Sequence, residues 1–181
     1  MLWQIDPTHA NVDFSVKHMA ISTVRGSFRS FTAKGATNDD GFPTALSMEI
    51  DAASITTNND QRDGHLRSGD FFETEKHPTL TFKSTKISGK KDDLVVEGEM
   101  TIRGVTKPLT LKGELSEIVT DPWGNKRTSI ALKGKLVRSE FGLTWNQALE
   151  FGGLMVSDDV KLEVEAEGVA VASEKAAAAT A

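Results

Sequence analysis

The chain contains no cysteine and no tyrosine among its 181 residues, although it contains nine phenylalanines. The lack of cysteine excludes disulfides, zinc–thiolate sites, iron–sulfur clusters and a cysteine nucleophile. The lack of tyrosine leaves an aromatic surface that is unusually apolar. Once the 15 glycines are counted with the apolar residues (38%), the composition is ordinary for one globular domain that can bury a sizeable core.

The chain also lacks an excess of positive charge and any long apolar run. Lys and Arg number 21 against 26 Asp and Glu, a net charge of −5, which argues against a general nucleic-acid binder. No stretch approaches the roughly 18 apolar residues of a membrane span. The opening residues 1–5 are followed at once by Asp6 and Pro7, unlike a signal peptide. We therefore expect a cytoplasmic protein without membrane insertion.

Apolar and polar residues alternate through most of the chain, a pattern typical of half-buried β-strands. The alternating apolar faces begin at Phe14, Val16 and His18 and continue at 46–50, 80–84, 94–102, 109–115, 130–136 and 160–168. The segment 23–36 is also strand-like, but Phe28 and Phe31 have opposite parity. A bulge near Ser30 would reconcile them.

Turn residues between these runs predict hairpins and therefore antiparallel pairing. The polar stretch 57–77 interrupts the pattern and predicts a short helix over residues 61–68. A second irregular stretch covers residues 146–159. We predict an all-β fold, an extended eight-stranded antiparallel up-and-down barrel with one short helix between strands. Residues 1–171 would form this single domain, and residues 172–181 a flexible Ala-rich tail.

Four glycines lie on the apolar faces of strands: Gly98, Gly113, Gly134 and Gly168. They are either corners where the barrel coils tightly, or positions that leave room for a guest or for close backbone approach. The two interpretations are compatible. A barrel of eight strands is wide enough to hold one small ligand, and an apolar interior favours a lipid-like chain.

The sequence contains no recognisable catalytic or metal-binding motif. The four histidines have no H-x-H or H-x₃-H spacing, and neither a nucleophile elbow nor a phosphate-binding loop is present. Carboxylates are spread over outward positions and turns. We therefore predict a protein that is not an enzyme and has neither a metal nor a cofactor. His18 shares the face of Phe14 and Val16, which is typical of a core or rim histidine.

Three segments identify the protein more specifically than its overall composition does: residues 62–72 (RDGHLRSGDFF), 98–109 (GEMTIRGVTKPL) and 138–145 (RSEFGLTW). Together with WQIDPTH at 3–9 and FSVKH at 14–18, they closely resemble the YceI family, which is described as lipocalin-like and polyisoprenoid-binding. The resemblance runs from residue 3 to about residue 168. It implies a lipocalin-like barrel around a long isoprenoid or fatty amphiphile, and homodimers, which some family members form.

The inward pattern and the resemblance together predict which side chains contact the ligand. The predicted ligand-binding residues are Phe14, Val16, His18, Phe28, Met48, Phe82, Met100, Leu111, Leu132, Phe141 and Trp145. Phe141 and Trp145, with Phe151, form either a plug or a lid that touches the ligand. Of Phe71 and Phe72, one would plug the barrel end and the other would pack beneath the helix.

Arg62, His65 and Arg67 are candidates for binding the ligand's head group, because a guanidinium fork suits a diphosphate or carboxylate. Alternatively, the two arginines pair with nearby carboxylates at Asp63, Asp70 or Glu73 and fix the helix to the barrel.

Three hypotheses follow for the function. The leading one is a barrel that sequesters or carries a long apolar amphiphile, either a polyisoprenoid or a fatty acid or amide. The second is a structural or stress-response protein with a packed barrel that acts through its surface. The third is an enzyme acting on a lipid, with His18 or His65 as general base.

Overall fold

Eleven strands and one helix form a closed barrel in the computed structural model, which describes residues 1–150 and 152–171. The elements are β1 (Leu2–His18), β2 (Ser22–Phe28), β3 (Phe31–Thr37), β4 (Pro43–Asp51), β5 (Ile55–Thr56), α1 (Asp60–Arg67), β6 (Thr79–Lys90), β7 (Asp93–Ile102), β8 (Val105–Leu115), β9 (Val119–Thr120), β10 (Lys126–Val137) and β11 (Val156–Val171). The predictions for Phe151 and for the tail 172–181 concern positions outside the described residues.

The strands pair antiparallel in chain order, and β11 returns to pair with β1. β2 and β3 both run along β1, β4 and β5 pair with β3 and β2 in turn, and β8 and β9 both run along β10, so the eleven segments occupy eight positions around the barrel. The prediction of an eight-stranded antiparallel up-and-down barrel is confirmed. Closure leaves no long unpaired strand edge, which removes a site for aggregation.

The strand is interrupted between β2 and β3, at the position where the sequence predicts a bulge near Ser30. The two-residue gap at Arg29 and Ser30 changes the parity, so that Phe28 and Phe31 both pack in the core. Backbone groups of these two residues form hydrogen bonds with Asp51 and Ser54. Asp51 N–H donates to Ser30 O at 2.9 Å, and Arg29 N–H donates to Ser54 O at 3.3 Å.

The helix α1 begins one residue earlier and ends one residue earlier than the predicted span of 61–68. Asn59 caps it by accepting a hydrogen bond from Arg62 N–H at 2.9 Å. Asp63 attaches the helix to the barrel, because it is 3% exposed and accepts bonds from Thr56 Oγ1 and from the N–H and Oγ1 of Thr57. No helix among the described residues is long and apolar enough to cross a membrane.

Burial would raise the pKa of Asp63, but the hydrogen bonds from Thr57 and Thr56 outweigh this effect and hold the pKa below its usual value. The carboxylate is therefore ionised at neutral pH. It serves as a structural anchor between β5 and α1.

The inward side chains are not buried to the same extent around the barrel. Inward side chains from β6, β7 and β8 are buried: Leu80, Phe82, Leu94, Val96, Met100, Ile102, Leu109 and Leu111. On β1, β4 and β10 some inward side chains are also buried, such as Val12, Ile50 and Leu132. Others on these strands and on β11 are only half-buried: Phe14, Val16, Leu46, Met48, Ile130, Val160, Leu162 and Val164. These half-buried side chains contact the core on one side and face an internal space on the other.

Three of the four inward glycines do not leave room for a guest. A Cβ on Gly113 would overlap the backbone carbonyl of Ala131, so the strands approach closely there. A Cβ on Gly98 would lie 2.5 Å from the Phe82 ring, and one on Gly134 would lie 2.5 Å from Leu111 Cδ2. Large neighbours on adjacent strands thus cover both positions. Of the alternatives for these three glycines, room for a guest is therefore not found, and the close backbone approach is found at Gly113. Among the four, Gly168 alone lines the cavity.

Gly113→Ala is therefore expected to destabilise the barrel by at least about 2 kcal/mol, because backbone must move to admit the methyl group. The matched control is Gly64→Ala in α1, where nothing lies within 4 Å of the added Cβ. This change should stabilise the protein by about 0.5–1 kcal/mol. Urea unfolding of both variants measures the difference. Equal stability of Gly113→Ala and the wild type would contradict the close approach.

Candidate functional site

The barrel contains an apolar cavity of about 240 Å³. Eight of the predicted ligand-binding residues line it: Phe14, Val16, Phe28, Met48, Phe82, Met100, Leu111 and Leu132. The lining on β11 extends from Val156 to Gly168, about 40 Å along the strand at the usual rise per residue. The space is therefore long and narrow, as a chain-like guest requires.

Three predicted ligand-binding residues lie outside this lining. His18 is half-buried at the end of β1, where Ile21 N–H and Ser22 Oγ donate to its carbonyl. Phe141 is 2% exposed and packs in the core as a plug. Trp145 is half-buried and packs against the outer side of Phe71, with 5.5 Å between ring centroids. Ligand contact by these three residues stays a prediction.

Two segments close one end of the barrel, which we call the helix end. The first is α1 with the loop 68–77, and the second covers residues 138–150 and 152–155. Arg103, on the turn between β7 and β8, links them by donating to Phe71 O at 3.0 Å and Gly142 O at 3.1 Å. Its other amino group pairs with Glu73 at 3.3 Å. The three segments that carry the family resemblance therefore meet at this end.

The two arginines of α1 face the barrel wall instead of the cavity. Arg62 donates to Thr57 Oγ1 at 2.7 Å and to Thr57 O at 3.0 Å. Arg67 donates to Ala53 O and to Ile55 O, both at 2.8 Å. They fix the helix to the barrel through oxygens of residues 53–57 and not through the carboxylates that the alternative hypothesis named. Their role in binding a head group stays a prediction.

His65 lies above the helix end in an aromatic cluster. Its ring meets Trp145 edge-to-face at 4.7 Å and Phe71 at 5.1 Å. Nε2 lies 2.8 Å from Asp70 Oδ2. Phe71 and Phe72 both line the cavity, and Phe72 packs edge-to-face on Phe28. The cluster thus covers the end of the cavity, with His65 on its outer side.

Sequence reasoning missed one charged residue on the cavity wall, Arg138, although it lies within the third segment. Arg138 directly follows β10, and the alternation of Leu132, Gly134 and Leu136 continues to it. That parity was the available signal for an inward side chain. The residue lines the cavity and is 6% exposed. Burial lowers the pKa of its guanidinium, while Asp158 acts in the opposite direction.

Four backbone carbonyls accept hydrogen bonds from Arg138. Nε donates to Ser157 O at 3.0 Å, and Nη1 donates to Leu143 O at 2.6 Å and Trp145 O at 2.9 Å. Nη2 donates to Val156 O at 3.3 Å. The side chain thus ties the start of β11 to the segment that closes the helix end.

Comparisons with known proteins agree with this architecture. A family model described as a YceI-like domain matches residues 3–168. A UPF0312 protein of Staphylococcus aureus (strain bovine RF122 / ET3-1) is 38% identical over 165 residues, which cover 90% of this chain and 94% of the relative. A crystal structure of a Campylobacter jejuni YCEI protein is 30% identical with a TM-score of 0.75, covering 86% of this chain and 90% of that one.

A polyisoprenoid-binding domain of Saccharophagus degradans, implicated in plant cell wall breakdown, shares the fold at 15% identity. Its TM-score is 0.67, and the match covers 93% of this chain and 98% of that domain. The resemblance inferred from the sequence segments is confirmed.

At the opposite end of the barrel, Arg127 holds three carboxylates together. It bonds to Asp6 at 3.1 Å, to Asp121 at 2.8 Å and to Glu167. Asp6 lies in a bulge of β1, with His9 at 3.3 Å. Asp6, His9 and Glu167 are the one set of metal-ligand side chains that converge within 4.8 Å among the described residues. Because Arg127 bonds to all three carboxylates, the group is a salt-bridge network.

Hydrogen bonds lower the pKa of two acids in this network. Those from Thr8 and Arg127 hold the pKa of Asp6 far below its usual range, and the bond from Arg127 lowers the pKa of Asp121 to about 2. Unfolded aspartates titrate near 3.9. The network therefore contributes its full stability above about pH 5 and loses it as the pH falls towards about 2.

Asp121→Asn should lower the free energy of unfolding at neutral pH, since asparagine keeps the turn hydrogen bonds but loses the charge that Arg127 binds. The gap between wild type and variant should close as the pH falls from about 5 to about 2. Denaturant unfolding across this range measures the gap. A gap that stays constant over the range would contradict the network's role.

Proposed function

The chain belongs to the YceI-like family, and we propose that it binds one long apolar amphiphile inside its barrel and sequesters or carries it. The ligand class is a polyisoprenoid or a fatty chain. The observation that carries this proposal is the row of half-buried apolar side chains that face the cavity from β1, β4, β10 and β11. Covering each CH₂ group of a guest there contributes about 0.8 kcal/mol before the costs of binding.

The shape of the cavity also supports this ligand class. Its lining runs along most of β11 and reaches Trp3 at one end and Leu143 at the other. A sugar or nucleotide would need several polar partners within this wall, which is almost entirely apolar. The name of the Saccharophagus degradans neighbour, a polyisoprenoid-binding domain, agrees with the proposal.

We propose that the protein is a binding protein without catalytic activity. The two histidines considered as general bases, His18 and His65, do not line the cavity. His65 contacts Asp70 and the aromatic cluster instead. A structural protein with a filled barrel fits less well, because many inward apolar side chains are only half-buried and line the cavity. Homodimerisation and a cytoplasmic location stay predictions.

Mass spectrometry of the purified protein, first native and then after organic extraction, tests the proposal directly. We expect a stoichiometric isoprenoid or fatty species that leaves the protein on denaturation. A clean mass of the protein alone from several expression hosts, with no uptake of added lipid, would favour the structural hypothesis instead.

Leu162→Trp should weaken uptake of a fluorescent alkyl probe at least about tenfold, since the indole would occupy space that the guest needs. Leu162 is half-buried and lines the cavity. The matched control is Lys161→Trp, which adds the same side chain to the outer face of the same strand. Circular dichroism establishes that both variants fold. Equal affinity of the two folded variants would show that the probe binds elsewhere.

A further inference from the structure

Arg138 lies at the helix end of the cavity and is the one buried residue among the charged residues that line it in the described part of the chain. Its side chain is 6% exposed, and it follows the inward-facing series of β10. Leu136, Leu143 and Val156 surround this end of the lining. A charge in such a place costs free energy unless an opposite charge or a full set of acceptors compensates it.

The side chain of Arg138 has one more hydrogen-bond donor than it has acceptors among the described residues. A guanidinium carries five N–H groups, and the four carbonyls described above use one each from Nε and Nη2 and two from Nη1. The second N–H of Nη2 has no acceptor among the described residues. These carbonyls are neutral, so they orient the guanidinium but leave its charge in place.

No carboxylate among the described residues forms a close pair with Arg138. The nearest, Asp158, lies 4.0 Å from Nε, is 48% exposed, and accepts hydrogen bonds from the N–H and Oγ of Ser139. Arg103 makes a useful contrast. It also donates to two carbonyls at the helix end, but it pairs with Glu73 and does not line the cavity.

We propose that the amphiphile bound by this protein has an anionic head group, a carboxylate or a phosphate, and that Arg138 binds this head group inside the barrel. The inference rests on the proposed function and specifies the ligand class of the same cavity. An anionic oxygen would accept from the remaining N–H of Nη2 and supply the missing negative charge. The apolar chain would then run from Arg138 along Leu162 and Val164 towards Trp3.

The test compares three ligands of equal chain length: palmitate, hexadecyl phosphate and hexadecanol. Affinities are measured by displacement of a fluorescent alkyl probe. Because a hydrogen bond to a charged group is stronger than one to a neutral group, wild type should bind at least one of the two anions about tenfold or more tighter than the alcohol. The anion with the larger preference identifies which of the two head groups the site accepts.

The variant Arg138→Met should lose this preference while it still binds hexadecanol. The matched control is Arg103→Met, which also removes two bonds to carbonyls at the helix end but should keep the preference for anions. If folded Arg138→Met prefers anions as strongly as wild type does, the assignment of Arg138 is wrong.

A second measurement needs no variant and decides the matter if Arg138→Met does not fold. The carboxyl carbon of ¹³C-palmitate bound to the wild-type protein is titrated by NMR. Contact with Arg138 should bring the pKa at least about one unit below the reference carboxyl value of about 4.3. A buried carboxyl away from Arg138 would titrate at or above that value, which would overturn the inference.

The outcomes also separate this inference from the function on which it rests. If all three ligands bind with equal affinity, the barrel is a lipid-binding site and the anionic head group is wrong. If none of the three ligands binds, and no apolar probe is taken up, the proposed function fails as well.

Discussion

The pairing of β1 with β11 is the interaction on which the rest of the structure depends. It joins the first and last strands along nearly their whole length, with Val12 opposite Val164 and Phe14 opposite Leu162. Closure of the sheet into a barrel creates an interior, and the apolar face of each strand points into it. An open sheet of the same strands would expose these faces and could not hold a guest away from water.

Closure does not by itself fill the interior, and this protein fills only part of it. Large side chains lie over glycines on neighbouring strands, as Phe82 of β6 covers Gly98 of β7 and Leu111 of β8 covers Gly134 of β10. On the neighbouring strands β1 and β11, medium-sized residues such as Val16, Val160 and Val164 line the internal space without filling it. This difference in packing creates a cavity within a stable barrel.

Arginines hold the closing segments of the helix end in place through backbone carbonyls. Arg67 and Arg103 each donate to two such oxygens, and Arg138 donates to four. Guanidinium groups suit this task because their donors are fixed in one plane and the charge persists at any ordinary pH. This role of the guanidinium group explains why arginine recurs in the sequence segments that carry the family resemblance. It also makes Arg138 distinctive, since among these three it alone lines the cavity.

The sequence by itself determined the strands, the short helix and the apolar interior. Alternation at a period of two, hairpin turns and the polar interruption at residues 57–77 are local properties that the linear sequence reveals. It also identified eight cavity-lining residues, such as Phe14 and Leu132, because parity within a strand decides which face they share. Only the tertiary structure decided which inward side chains leave a cavity between them, because the free space depends on which residues meet across the strands. Only the tertiary structure placed Arg62 and Arg67 against the barrel wall and Arg138 at the cavity, because the orientation of a charged side chain near a strand end depends on the segments that close over it.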